Sequence, residues 1–241
     1  MRSQQTIEDY VVFLNTSDIK SISVNTRLRG LRAFFYWCVD KEYVPAFKIR
    51  LVKQEEVIKS TFSDEALMLL LKKPDIKSCS FTEYRNWAMV NFLLATGVRV
   101  STLIAVRVKD VDLHSSVFRT KHNKNRREQI LPVSKTLNKD LIYRKDDEPE
   151  AVLFCNQYGK PFTADGCEQA IRDYGSSRGV SYCGPHKFRH SFAKNWILSG
   201  GDVFWLQKMF GHSSLDVVKK YVNLYDTDFK AVWSVTIHWI G

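Results

Sequence analysis

The chain has 241 residues, with 36 lysines and arginines against 26 acidic residues and a formal net charge of +10. A hydrophobic share of 44% can form a buried core, which excludes a wholly disordered chain. The charge indicates a polyanionic partner, either nucleic acid or an anionic membrane surface. Because the longest apolar run is too short to span a bilayer and residues 1–6 contain no signal-peptide core, we expect nucleic acid and no membrane.

The number and spacing of the cysteines bear on the cellular compartment and on whether the chain has a zinc site. The five cysteines are odd in number, and none forms a C-x-x-C pair. This pattern favours neither a zinc site nor a disulfide framework, so we expect a protein of the reducing cytoplasm.

The first predicted elements are amphipathic helices over residues 4–15 and 24–43. Apolar side chains recur at helical spacing in the second helix: Leu28, Leu31, Phe34, Phe35 and Cys38. The rest of this helix carries three arginines: Arg27, Arg29 and Arg32. They could be an ordinary solvated face, but we expect them to contact a phosphate backbone. Residues 47–62 lose periodicity and predict a linker, so we place one unit at residues 1–55 and a second at residues 56–241.

The second unit is predicted to be helical around one hairpin. Ser63 is a suitable N-cap for a helix through Leu71, and Gly97 is a suitable stop for a helix over residues 82–96. Alternating residues predict a hairpin of strands 116–121 and 128–133. Four more helices are predicted over residues 163–174, 186–199, 202–209 and 214–225. The expected fold class is therefore mainly α with a small antiparallel β-sheet (α+β).

Separate segments of the chain carry candidate residues for phosphodiester chemistry: Arg99, Lys121, His186, Arg189, His212 and Tyr221. Cleavage without a metal needs cations for the transition-state charge, a proton donor for the leaving oxygen and an activated nucleophile. A neutral tyrosine has a pKa near 10, so it needs a cationic pocket to attack.

Two positions in this set have neighbours that could replace them. Lys124 is an alternative to Lys121 in the basic turn of the hairpin. On a helix starting at Leu215, Tyr225 belongs to the apolar stripe, whereas Tyr221 lies at its edge, where a side chain can reach a groove. We therefore favour Tyr221 over Tyr225 as the nucleophile.

The segments ATGVRVSTL, HKFRHSFA and FGHSSLDVVKKY resemble the signature segments of tyrosine recombinases of the phage integrase type. Arg189 lies three residues after His186, His212 lies 23 after Arg189, and Tyr221 lies nine after His212, as in that family. The resemblance covers residues 60–230. It implies that residues 56–241 form a catalytic domain and that residues 1–55 form a short helical core-binding unit.

The resemblance implies a role for each residue that would hold the phosphate. Arg99 and Arg189 would bind the scissile phosphate, and His212 would donate a hydrogen bond to it. No metal, ATP or other cofactor would take part.

The resemblance also implies how protons and bonds move. Tyr221 would attack and form a 3′-phosphotyrosyl link, while Lys121 would protonate the leaving 5′ oxygen. His186 would assist proton transfer at the tyrosine oxygen.

The partners implied by the resemblance are double-stranded DNA, held in a clamp, and three further copies of the chain in a homotetramer on synapsed DNA sites. The basic hairpin is expected to contact phosphates through four cations: Arg119, Lys124, Arg126 and Arg127. The expected function is a site-specific recombinase or integrase of a mobile element, such as a phage.

Two other functions compete with this reading. A truncated, recombination-deficient DNA-binding remnant of the same fold would fit the short N-terminal unit and the unusual C-terminal segment AVWSVTIHWIG. Thr102 stands where the family often has an acid, which would support the site without being a catalytic group. A type IB topoisomerase would share the chemistry, but its larger surrounding domains are not seen in this sequence.

Overall fold

The computed structural model describes residues 2–53, 60–112, 114–120, 129–132 and 148–211. The chain divides into two compact units, Met1–Ile58 and Lys59–Gly241. The described helices are α1 (Arg2–Thr16), α2 (Ser21–Asp40), α3 (Asp64–Leu71), α4 (Phe81–Thr96), α5 (Val100–Ala105), α6 (Ala164–Ser177), α7 (Pro185–Leu198) and α8 (Val203–Phe210). The strands are β1 (Val111–Asp112), β2 (Val117–Thr120) and β3 (Gln129–Pro132). This mainly helical fold with a small antiparallel sheet confirms the predicted fold class.

The first unit is built on α1 and α2, which pack around Leu14, Val24 and Leu28. The predicted apolar face of α2 is partly wrong, because Phe34 is 57% exposed. Phe34 follows Leu28 by six residues and so lies about 120° around the helix from it. The helix buries a narrower stripe than the residue pattern suggested.

A buried side chain fastens the segment after α2 back onto that helix. Asn25, 2% exposed, donates from Nδ2 to the Val52 carbonyl oxygen at 2.8 Å. Its Oδ1 accepts from the Val52 backbone N–H at 2.9 Å. One amide side chain therefore satisfies both backbone groups of Val52, as a neighbouring strand would. The helix predicted over residues 24–43 would have Asn25 in its first turn, but α2 begins earlier, at Ser21.

We expect Asn25→Ala to weaken this attachment. The substitution leaves a half-buried N–H and C=O without their partner, which costs about 2 kcal/mol. Hydrogen exchange of the Val52 amide measures the change, with Thr26→Ala as a control, since Thr26 is exposed and bonds only within its helix, to Ile22 O. Equal exchange of Val52 in both variants would contradict the expectation.

The second unit is organised around α4, which α3, α6 and α7 all contact. Most of α4 is buried, which explains its almost continuous apolar sequence: Trp87, Ala88, Met89, Val90, Phe92 and Leu93. The sheet has the order β1-β2-β3, with Phe118 paired to Leu131 across the hairpin. Phe118 and Leu131 are both buried, and the Phe118 ring lies 5.2 Å from that of Phe92. The predicted hairpin is confirmed, and its inner face covers α4.

Helix ends in this unit follow local signals. Short side chains cap the N-termini by accepting a backbone N–H, and they are Ser63, Ser80, Thr163 and Asp202. Gly97 ends α4 and Gly211 ends α8, each in the left-handed conformation that glycine adopts at low cost. The Ser63 and Gly97 predictions are confirmed. The sequence did not predict α5, which is too short to show helical periodicity, or the two-residue strand β1.

The cysteines lie apart from one another as free thiols, and four of the five are buried. Burial raises the pKa of the Cys167 and Cys183 thiols to about 12. Both therefore stay protonated at neutral pH and are poor nucleophiles. In the part of the chain that the structure describes, no helix is both long and apolar enough to cross a bilayer.

Candidate active site

Helix α7 carries two of the predicted site residues on neighbouring positions. Gly184 is its N-cap and Pro185 occupies its first turn, where a missing N–H has no cost. His186 and Arg189 follow at a separation of three, which places them side by side on the helix surface. His186 is exposed, whereas Arg189 is only 6% exposed. A buried arginine needs acceptors within the protein.

Arg99 comes to the same region from another part of the chain. The left-handed turn at Gly97 (φ 61°) stops α4, and Arg99 then becomes the N-cap residue of α5. Its side chain is half-buried. Its Nη1 donates to the carbonyl oxygen of Phe210 at 3.3 Å.

The end of α8 supplies the atom at which both arginines meet. Gly211 (φ 59°) stops α8, and the Phe210 carbonyl lies in the last turn, where carbonyls lack an intrahelical donor. Arg189 donates from Nη2 to that oxygen at 2.9 Å and from Nη1 to the Gly97 carbonyl oxygen at 2.6 Å. The partial negative charge at two helix C-termini thus holds one buried guanidinium.

The convergence on one oxygen limits the distance between the two cations. Nη1 of Arg99 and Nη2 of Arg189 are at most about 6 Å apart, since each lies within hydrogen-bond distance of Phe210 O. Guanidiniums this close can bind the same phosphate group, each through a planar fork of N–H donors. The structure therefore brings together Arg99 and Arg189, with His186 one helical turn away on α7.

The remaining predicted chemistry lies outside the described residues. This applies to Lys121 and its alternative Lys124, to His212 and Tyr221, and to the basic residues Arg126 and Arg127. His212 follows Gly211 directly in the chain, and Lys121 follows β2 directly.

Two of the predicted DNA-contact regions are described. Arg119 lies on β2 between two buried residues, Phe118 and Thr120, and its side chain is exposed, as the alternation of a strand requires. In the first unit, the three arginines of α2 are exposed: Arg27, Arg29 and Arg32. Arg29 and Arg32 also line an open depression of about 410 Å³ together with Ala33, Tyr36 and Leu51. These positions leave the cationic groups accessible to a polyanion.

Thr102 occupies a buried position in the first turn of α5, 5% exposed, where the family resemblance implies that an acid is often found. Its backbone N–H donates to the Arg99 carbonyl oxygen at 2.9 Å. The backbone turn at Arg99 is therefore closed by main-chain bonding, whichever side chain follows.

Phe210 is the site residue that sequence reasoning missed. The carbonyls of Gly97 and Phe210 hold Arg189, and the Phe210 ring lies against the same guanidinium, with Cζ 3.6 Å from the ring centroid. The available signal was the position of Phe210 directly before Gly211, a glycine that ends a helix. The last carbonyls of a helix have no intrahelical donor, so they need donors from elsewhere.

We expect Gly97→Ala to destabilise the second unit. A Cβ there would lie 2.7 Å from Phe192 Cδ1 and 2.8 Å from Phe210 Cε1, and the φ of 61° disfavours any side chain. Strain and overpacking together cost about 2–4 kcal/mol, measured as the free energy of unfolding in urea. Gly179→Ala is the matched control, because Gly179 has a φ of 74° but nothing within 4 Å of its Cβ. The control should lose only about 1 kcal/mol, and an equal loss in both variants would show that the aromatic contacts are unimportant.

Comparison with known proteins identifies relatives over most of the chain. The model of the phage integrase family matches residues 61–228. The tyrosine recombinase XerC of Roseiflexus sp. (strain RS-1) is 28% identical over 236 residues, covering 92% of this chain and 74% of the relative. The tyrosine recombinase XerD of Staphylococcus haemolyticus (strain JCSC1435) is 26% identical over 243 residues, covering 96% of this chain and 81% of the relative.

Solved structures show the same fold. The XerH site-specific recombinase bound to palindromic difH substrate matches with a TM-score of 0.74 at 19% identity, over 96% of this chain and 72% of that chain. The Tn1549 transposon integrase in complex with circular intermediate DNA matches with a TM-score of 0.67 at 20% identity, over 88% of this chain and 78% of that chain. Because the family model covers well over half of the sequence, the protein belongs to the phage integrase family and is a tyrosine-type site-specific recombinase.

Proposed function

We propose that the protein is the integrase or recombinase of a mobile element, which cleaves and rejoins double-stranded DNA without a metal or ATP. The observation that carries this proposal is the meeting of Arg99 and Arg189 at one carbonyl oxygen. Two fixed cations that can share a phosphate are what a phosphorane-like transition state needs for its extra negative charge. A transposon integrase among the similar structures favours a mobile element.

The proposed reaction is two successive transfers of one phosphoryl group. The Tyr221 phenol oxygen attacks the scissile phosphorus and loses its proton with the help of His186. The bond from phosphorus to the 5′ oxygen breaks, and Lys121 gives a proton to that oxygen. Arg99 and Arg189 bind the non-bridging oxygens throughout.

Religation is the same transfer in reverse. A 5′ hydroxyl of a second strand attacks the phosphotyrosyl link, the new 3′–5′ phosphodiester forms, and the tyrosine oxygen regains its proton. His212 donates a hydrogen bond to the phosphate in both steps. Because the bond energy stays in the link, neither ATP nor another cofactor is consumed.

Binding of the duplex is proposed to rely on exposed cations in both units. Arg29 and Arg32 line an open depression from which they can contact phosphates, and Arg119 lies on the strand that leads into the basic turn. Residues 1–55 would act as the core-binding unit and residues 56–241 as the catalytic domain, four copies assembling on two synapsed sites. Free, mostly buried thiols suit the cytoplasm.

The proposal is tested by trapping the covalent intermediate. A library of nicked duplexes with random sequence is incubated with the protein in the presence of EDTA, which removes metal ions. Cleavage near a nick releases a short strand, and the loss of that strand blocks religation. Denaturing gels isolate protein–DNA adducts, and the labelled peptide is sequenced. A 3′-phosphotyrosyl adduct in the peptide containing Tyr221 supports the proposal, and an adduct on another residue overturns the assignment of the nucleophile. Salt-sensitive DNA binding without any adduct would instead favour the recombination-deficient remnant.

A further inference from the structure

Phe210 contacts the arginine pair in two different ways. Its carbonyl oxygen accepts from Arg189 at 2.9 Å and from Arg99 at 3.3 Å. Its ring lies 3.6 Å below the Cζ of Arg189, within the range of a strong cation–π contact. The main chain of this residue therefore holds the guanidinium by its edge, and the side chain holds it by its face.

The Phe210 ring is itself held in place by neighbouring apolar side chains. It is buried in a cluster with four other residues: Phe192, Ala193, Ile197 and Leu206. The Phe192 ring packs on it at 5.8 Å between centroids. A ring packed in this way has little freedom to move. The plane of the Arg189 guanidinium that lies against it is therefore restricted to one favoured orientation.

The plane of a guanidinium decides how it binds phosphate. Arginine makes two parallel hydrogen bonds to a phosphate only when its planar fork faces the two oxygens. Small errors in such alignment slow a reaction strongly, even when the charge is kept. We propose, resting on the function proposed above, that Phe210 is a positioning residue for phosphoryl transfer, whose ring sets the orientation of Arg189 toward the scissile phosphate.

The test compares the same substitution at two buried rings, one against the Arg189 guanidinium and one in the separate cluster around α4. Phe210→Leu removes the aromatic face but keeps apolar bulk and the main-chain carbonyl. Phe154→Leu removes a buried ring that packs on Phe92 at 5.5 Å between centroids, and is the matched control for lost packing. Phe210→Tyr keeps the face and tests rescue. The wild type and the three variants are compared by the single-turnover rate of adduct formation on a nicked suicide duplex. The temperature is one at which circular dichroism shows that each protein is folded.

We expect Phe210→Leu to lower the rate at saturating DNA about 10- to 100-fold, with the half-saturating DNA concentration unchanged within about twofold. Phe154→Leu should stay within about threefold of the wild type, and Phe210→Tyr should recover most of the rate. A wild type that forms adducts, with equal losses in Phe210→Leu and Phe154→Leu, overturns the inference alone. A wild type that forms no adduct overturns the proposed function and the inference with it.

Discussion

Replacing Tyr221 by phenylalanine is expected to abolish the covalent protein–DNA adduct, a loss of more than about 1,000-fold in the rate of adduct formation. Phenylalanine keeps the ring and removes only the oxygen that would become bonded to phosphorus. DNA binding should persist, because the cations that contact phosphates are unchanged. The measurement is adduct formation on a nicked duplex, with binding followed separately by fluorescence anisotropy at fixed salt.

Tyr225→Phe is the matched control for this result. The helical pattern of the segment assigns Tyr225 to an apolar stripe and Tyr221 to its edge. The control should therefore form adducts at close to the wild-type rate. The assignment would be reversed if Tyr225→Phe lost the adduct and Tyr221→Phe kept it.

Arg189→Lys is expected to lower the rate of adduct formation by about 100- to 1,000-fold, although the positive charge is retained. In the wild type, the Arg189 guanidinium donates to the Gly97 and Phe210 carbonyl oxygens at the same time, through two nitrogens of one rigid plane. A lysine ammonium is a single point on a flexible stem and cannot reproduce this bridge while also presenting a fork to a phosphate. Single-turnover adduct formation at saturating DNA measures the effect.

Arg172→Lys controls for the substitution itself, because Arg172 is exposed on α6. It should leave both the rate and the free energy of unfolding nearly unchanged. Urea unfolding of Arg189→Lys separates lost catalysis from lost stability. A wild-type rate in folded Arg189→Lys would show that charge alone, and not the orientation of the fork, is what this position supplies.

Several features of the fold could be predicted because their causes are local. Ser63 caps α3 with a side chain that reaches only three residues along the chain, to the Ala66 N–H. Gly97 ends α4 because a left-handed residue is cheap only for glycine. The hairpin of β2 and β3 is likewise readable from alternation. Where the local signal was short, as in the six residues of α5, the prediction missed the element.

The sequence by itself determined the fold class, the family and which residue types are available for phosphoryl transfer, because the order and spacing of the motif residues are properties of the chain. It did not determine where Phe34 or Asn25 would lie, since each depends on what packs beside α2. Only the tertiary structure decided that Arg99 and Arg189 meet at the Phe210 carbonyl. The glycine after Phe210 marks a helix end whose carbonyls need outside donors, but no sequence pattern says which donors will reach them. The packing of α4, α7 and α8 selects these donors, by bringing two helix ends to a buried arginine that needs acceptors.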